Sequence, residues 1–167
     1  MSGLWRRYPA LVGTSPCWAL EPSDTIVATR SDFYLSRSPD VLSLQAAYAA
    51  LANNDPSLLF GAMAPDIQWH EAEGNPLADR NPYIGPQSVG EGVFGRLVAA
   101  IDNFSAVPNR FVDGGDDVIV LGRYGGTMMH NGAKLDAPFC HVYRFDGDRI
   151  VSFQQYTDSA QWARLMP

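Results

Sequence analysis

The sequence predicts an α+β domain in which helices come first and an antiparallel sheet follows. Three observations carry that prediction. Apolar residues recur at helical spacing in the stretches 41–51 and 89–100. From Asn103 onward the chain alternates runs rich in aromatic and β-branched residues with short breaks. Those breaks hold Gly114-Gly115, Asn131-Gly132 and Asp146-Gly147, pairs suited to tight hairpin turns. Helices followed by a strand meander pack on one face of a curved sheet.

Taken in order, residues 1–37 form an N-terminal extension with no sustained period, and 38–167 form a single domain. Trp5, Tyr8, Trp18, Phe33 and Tyr34 make the extension too aromatic for a typical disordered tail. Ser38-Pro39-Asp40 opens the first helix, with Ser as cap and Pro at the first helical position. Val41, Leu44, Tyr48 and Leu51 supply its apolar face, and Asn53-Asn54 ends it. Asp55-Pro56 starts a short second helix carrying Leu58, Leu59, Ala62 and Met63, which Pro65 stops. Asp66 to Glu71 reads as a strand with Ile67, Trp69 and Glu71 on one face, and Gln68 and His70 on the other. Residues 72–85 are loop, rich in Gly and Pro. A third helix opens at Pro86 and carries Val89, Val93, Leu97 and Ala100. Its Gly90, Gly92 and Gly95 each cost up to roughly 1 kcal/mol against Ala, which close approach to a sheet would explain. Strands then run over about 103–112, 117–129, 134–145 and 149–157.

A chain of 167 residues buries a core without disulfides or metals. Lys+Arg 12 against Asp+Glu 18 leaves a net charge of −6, which argues against a nucleic-acid surface. No apolar run approaches the ~20 residues that span a bilayer. Cys17 and Cys140 make no disulfide framework, and there is no Cys/His spacing for zinc. The opening residues are neither a signal peptide nor a lipoprotein anchor, so a cytoplasmic protein is expected.

The stretch 136–158 carries the strongest functional signal. Phe139, His141, Tyr143 and Phe145 alternate onto one strand face, a wall of three aromatics and one imidazole suited to an apolar pocket with one polar group. The plain alternative is core packing, with His141 bonded to backbone. The loop length at Asp146-Gly147-Asp148 decides what faces His141. Three residues bring Gln155 to its side; two bring Gln154, Tyr156 and Asp158. Asp158 also reads as a helix cap ahead of Trp162 and Leu165. His70 and His130 read as structural or exposed.

The segments YAALANND (48–55), MAPDIQWHEAEG (63–74), YIGPQSV (83–89) and APFCHVYRFDGDRIVSF (137–153) resemble the cone-shaped nuclear transport factor 2-like superfamily. Within it they resemble the SnoaL-like polyketide cyclases and ketosteroid isomerases, over about residues 38–160. The resemblance implies a cone-shaped, curved antiparallel sheet packed against about three N-terminal helices. It places the isomerases' proton-moving carboxylate on Glu71. Their oxyanion donor falls on Cys140 when counted forward from Ala137-Pro138 and on His141 when counted back from Arg144-Phe145; the second count matches the cyclases, which carry a His there. A carboxylate beside Trp69 would have its pKa raised, which improves it as a base; a rim carboxylate paired with Arg80 or Arg123 is the plain alternative. Tyr48 falls one position from the isomerases' helix tyrosine, Gln155 stands where the cyclases carry an Asp, and Arg123-Tyr124-Gly125 lacks the Arg/Asp pair of the epoxide hydrolase relatives.

The resemblance therefore implies proton transfer on a polyketide- or steroid-like carbonyl compound, with Glu71 and His141 catalytic. Trp69, Tyr83, Tyr124, Phe139, Tyr143, Gln155, Tyr156 and Asp158 are the expected binding residues. No metal or organic cofactor is implied. The partners expected are a small apolar carbonyl ligand and a second copy of the chain, docked on the sheet face opposite the helices. A non-catalytic ligand-binding or assembly module of the same fold is the alternative.

Overall fold

The computed structural model of the chain describes residues 38–166. The extension at 1–37, with its aromatic residues and Cys17, lies outside the described residues. Helix α1 (Pro39–Leu51) starts where its cap signal stands, and the Ser38 hydroxyl accepts from the Val41 N–H at 3.3 Å. It buries Val41, Leu44, Ala47 and Tyr48, the face that its spacing marked out. Helix α2 (Ser57–Ala62) ends earlier than expected. Met63 is already extended, and strand β1 (Met63–His70) begins there, with Pro65 inside it. The ladder to β6 is irregular between Met63 and Gln68, where Pro65 cannot donate.

The loop after β1 holds a single 3₁₀ turn, Pro76–Ala78, and a two-residue strand β2 (Tyr83–Ile84). One helical run follows: α3 (Gly85–Val89), a π-wound turn (Gly90–Phe94) and α4 (Gly95–Ala100). Gly92 is required there, because a Cβ would lie 2.1 Å from the Tyr83 ring. The glycine thus lets the helix approach β2, and its cost in helix propensity is offset by that contact.

Strands β3 (Ile101–Asp113), β4 (Asp117–Met128), β5 (Lys134–Asp146) and β6 (Arg149–Thr157) form the meander, and α5 (Ser159–Leu165) follows. The six strands form a curved, unclosed sheet in the order β2-β1-β6-β5-β4-β3. All pairings are antiparallel except β1 with β6, which is parallel. β5 alternates strictly. Leu135, Ala137, Phe139, His141, Tyr143 and Phe145 point to the buried side. Gly122 on β4 leaves room for the Phe139 ring, which would stand 2.3 Å from a Cβ.

The β5–β6 loop has two residues, Gly147 and Asp148, because Asp146 pairs with Arg149. Two residues alone would bring Tyr156 to the side of His141. The ladder is irregular, however, between Arg144, which pairs with Ser152, and Phe145, which pairs with Ile150. Val151 is the extra residue of that bulge, and it restores His141 opposite Gln155.

Candidate functional site

Glu71 follows β1 directly, and the strand's alternation turns it to the same side as Trp69. Its backbone is clamped by Asn81: the Glu71 N–H donates to Asn81 Oδ1 at 3.0 Å, and Asn81 Nδ2 donates to the Glu71 carbonyl at 2.7 Å. The Trp69 indole N–H donates to Glu71 Oε1 at 2.8 Å. The residue is 2% exposed, and Oε2 is buried with no hydrogen-bond partner among the described residues. Burial pushes the carboxyl up to about 7, against the opposing pull of the Trp69 N–H and the nearby Gln155 amide. A rim ion pair with Arg123 is not formed, because Arg123 holds Asp136 at 2.7 Å on the exposed face.

His141 is 5% exposed, and both ring nitrogens are taken by phenols. Nδ1 bonds the Tyr48 hydroxyl, and Nε2 bonds the Tyr124 hydroxyl. Its partners are therefore side chains rather than backbone. Burial drops its pKa to about 3, so the ring is neutral near neutral pH. The Tyr48 and Tyr143 hydroxyls are 2.9 Å apart. At the other end, Gln155 Nε2 donates to Tyr124 Oη at 2.9 Å. Gln155 Oε1 accepts from the Ala72 N–H at 3.2 Å and from Asn75 Nδ2 at 3.0 Å. One buried polar chain thus runs Tyr143–Tyr48–His141–Tyr124–Gln155; burial first, and then the charge of nearby Glu71, raises the Tyr124 and Tyr143 phenols.

Aromatic rings enclose the chain. Phe139 stacks on His141 at 4.0 Å between centroids, and Phe153 stacks on Trp69 at 3.6 Å. Phe94, from the π-wound turn, meets Trp69 edge-on at 6.0 Å.

Of the sequence-derived residues, the structure brings together Glu71, Trp69, Tyr124, Phe139, His141, Tyr143 and Gln155. It does not bring in three others. Tyr83 is buried, but its hydroxyl donates to the Leu77 carbonyl at 2.7 Å and lies 2.9 Å from Asp79, tying down the loop. Tyr156 turns to the opposite sheet face and is 57% exposed, a consequence of the Val151 bulge. Asp158 caps α5, its side chain accepting from the Gln161 N–H at 3.0 Å. Asn75, Asn81 and Phe153 belong to the site and were not singled out. Phe153 was readable, since it alternates with Gln155 on β6; the two loop asparagines carried no periodic signal.

Residues 44–153 match the family model described as the SnoaL-like domain. The chain belongs to the SnoaL-like family. A nuclear transport factor 2-like protein of Burkholderia thailandensis is 33% identical, with a TM-score of 0.72, over 79% of this chain and 99% of that one. A nuclear transport factor 2-like protein of unknown function from Burkholderia pseudomallei is 27% identical, with a TM-score of 0.70, over 78% of this chain and 98% of that one. TerC, co-crystallised with polyporic acid, shares the fold at 21% identity and a TM-score of 0.68, over 77% of this chain and 98% of that one. No curated protein matches the chain. The fold expected from the SnoaL-like resemblance is the fold observed. Among the described residues of this SnoaL-like chain, no helix is long and apolar enough to cross a membrane.

Proposed function

We propose that this SnoaL-like domain takes a small, largely apolar carbonyl compound against the Trp69, Phe139 and Tyr143 wall and moves a proton α to its carbonyl. Glu71 is the base. Its ionised carboxyl removes a proton from the α-carbon, and the C–H electron pair moves into the carbonyl to give an enolate. The same carboxyl, now protonated, returns the proton to carbon, so nothing is oxidised or reduced. A hydroxyl of the chain around His141 donates to the enolate oxygen.

The observation that carries the reading is Glu71 itself. It is a buried carboxyl with a pKa of about 7 and one oxygen, Oε2, that has no hydrogen-bond partner among the described residues. Such a group is half ionised near neutral pH and has an oxygen free to work. The co-crystal of TerC with polyporic acid fits a small organic ligand in this fold.

The test is loss of α-protons from 1-tetralone in deuterated buffer, followed by proton NMR. The wild type speeds the exchange and Glu71→Gln does not. Equal exchange by both proteins would sink the mechanism. A second reading is ligand binding without turnover. Gln155 favours it, being an amide, held by Ala72, Asn75 and Tyr124, that can serve as neither general acid nor general base. It predicts that 1-tetralone binds both proteins and exchanges in neither.

The proposal extends to a homodimer. The sheet face away from the helices carries Val112, Ile119 and Val142 in one register row, none of them fully buried. A second copy would cover that row. Sedimentation equilibrium tests it, and a monomer at every concentration refutes it.

A further inference from the structure

Which hydroxyl meets the ligand's oxygen follows from counting donors and acceptors along the buried polar chain. The count is anchored on backbone N–H groups, which can only donate. The Leu77 N–H donates to Asn75 Oδ1 at 3.0 Å, which fixes that amide so that Nδ2 faces Gln155. The Ala72 N–H and Asn75 Nδ2 both donate to Gln155 Oε1, which fixes the second amide. Gln155 Nε2 is then the group facing Tyr124, and the Tyr124 oxygen accepts from it at 2.9 Å.

Tyr124 has one hydroxyl proton and one other partner, His141 Nε2. Were the imidazole to donate there, the Tyr124 oxygen would accept from both its partners and its own proton would have no acceptor; run the other way, the unused proton falls on Tyr143, whose oxygen has a single partner among the described residues and so a direction open to a ligand. Tyr124 therefore donates to Nε2. A neutral imidazole that accepts at Nε2 carries its proton on Nδ1, and so donates to the Tyr48 oxygen. The Tyr48 proton goes on to the Tyr143 oxygen, 2.9 Å away. Tyr143 ends the chain with an O–H that no other described residue accepts. Along this run of hydroxyls the spare donor is thus the Tyr143 O–H, and among the described residues Glu71 Oε2 is a buried acceptor with no partner.

We infer that Tyr143, rather than His141, hydrogen-bonds the carbonyl oxygen of the ligand, and that Gln155, Tyr124, His141 and Tyr48 are positioning residues that set the direction of its O–H. The ligand in this inference rests on the carbonyl reading proposed above; the direction of the chain does not.

The direction is tested without any ligand. In protein labelled with ¹⁵N-histidine, NMR distinguishes a protonated ring nitrogen from a bare one. His70→Gln and His130→Gln variants assign the remaining signal to His141. The expected result is a proton on Nδ1 and a bare Nε2; the reverse tautomer overturns the inference. The ligand contact is tested with 1-tetralone and the infrared stretch of its carbonyl. Binding to the wild type lowers the stretch. Tyr143→Phe abolishes the shift and weakens binding about tenfold, the loss of one hydrogen bond. The His141 tautomer stays as it was in Tyr143→Phe, because it is set from the Gln155 end, whereas a general disruption of the core would disturb it. A shift that survives Tyr143→Phe overturns the role of Tyr143 and leaves the carbonyl reading standing. A wild type that binds no 1-tetralone sinks the carbonyl reading and the ligand role of Tyr143 together, while the tautomer still reports the chain's direction.

Discussion

His141 and Gln155 stand directly opposite one another across the β5–β6 ladder, and Tyr124 on β4 is hydrogen-bonded to both. The pair exists only because of the bulge at Val151, since a regular two-residue hairpin would have put Gln154 in the place of Gln155. Through Gln155, the imidazole is tied to the loop that follows Glu71. The carboxyl and the polar chain are thus held by a common frame.

The pH dependence of exchange follows from Glu71. Its carboxyl titrates at about 7, and the working form is the ionised one. The rate of 1-tetralone exchange should rise with pH and reach half its plateau near that value. Glu71→Gln should lower the plateau by about a hundredfold or more.

The same group makes stability depend on pH. An ordinary glutamate titrates at 4.5, and Glu71 does so at about 7 only when folded. Between those values the folded protein keeps a proton that the unfolded chain has released. Stability contributed by this group therefore falls as pH rises through the window, by about 3 kcal/mol in all. Urea unfolding of wild type and Glu71→Gln at pH 5 and pH 8 checks this. The difference between the proteins should move in favour of the variant at the higher pH, and contributions common to both, such as that of His141, cancel.

Trp69→Phe removes the N–H that stabilises the ionised carboxyl. The midpoint of the exchange profile should move to higher pH in this variant. A midpoint that stays in place would mean that the indole contact carries none of the carboxyl's tuning.

Asp158→Ala separates a helix cap from a site residue. Loss of the cap on α5 should cost about 1 kcal/mol in urea unfolding and leave the exchange rate unchanged. A large fall in rate at full stability would return Asp158 to the chemistry.

Gly92→Ala puts a methyl group 2.1 Å from the Tyr83 ring. The ring or the π-wound turn must shift, at roughly 1–3 kcal/mol by analogy with overpacked cores. Gly61→Ala, which meets nothing within 4 Å, serves as the control.

Much of this architecture was legible in the sequence. Ser38 and Pro39 mark the first helix, the glycine turns divide the meander, and the alternation of Phe139, His141 and Tyr143 gives the buried face of β5. The boundary at Met63 was less so, because a short helix running straight into a strand has no breaker between them. Gln155 could be weighed but not chosen, since hairpin length and strand register are separable once a bulge intervenes. Tyr48 reads in the sequence as a helix-face residue one position from the isomerases' helix tyrosine. Its hydroxyl partners come from β5, and nothing local in α1 announces them. The loop asparagines were silent for a similar reason: their partners are set by where Glu71 and Gln155 arrive in space.

The parallel seam between β1 and β6 bears on how the protein comes into being. The links that make the polar chain join residues 93, 95 and 83 positions apart. Contacts of such high contact order slow folding and close late, after local helices and hairpins have formed. During synthesis the helical third of the molecule must therefore wait, with Trp69 and Glu71 unsealed, until the final strand has left the ribosome.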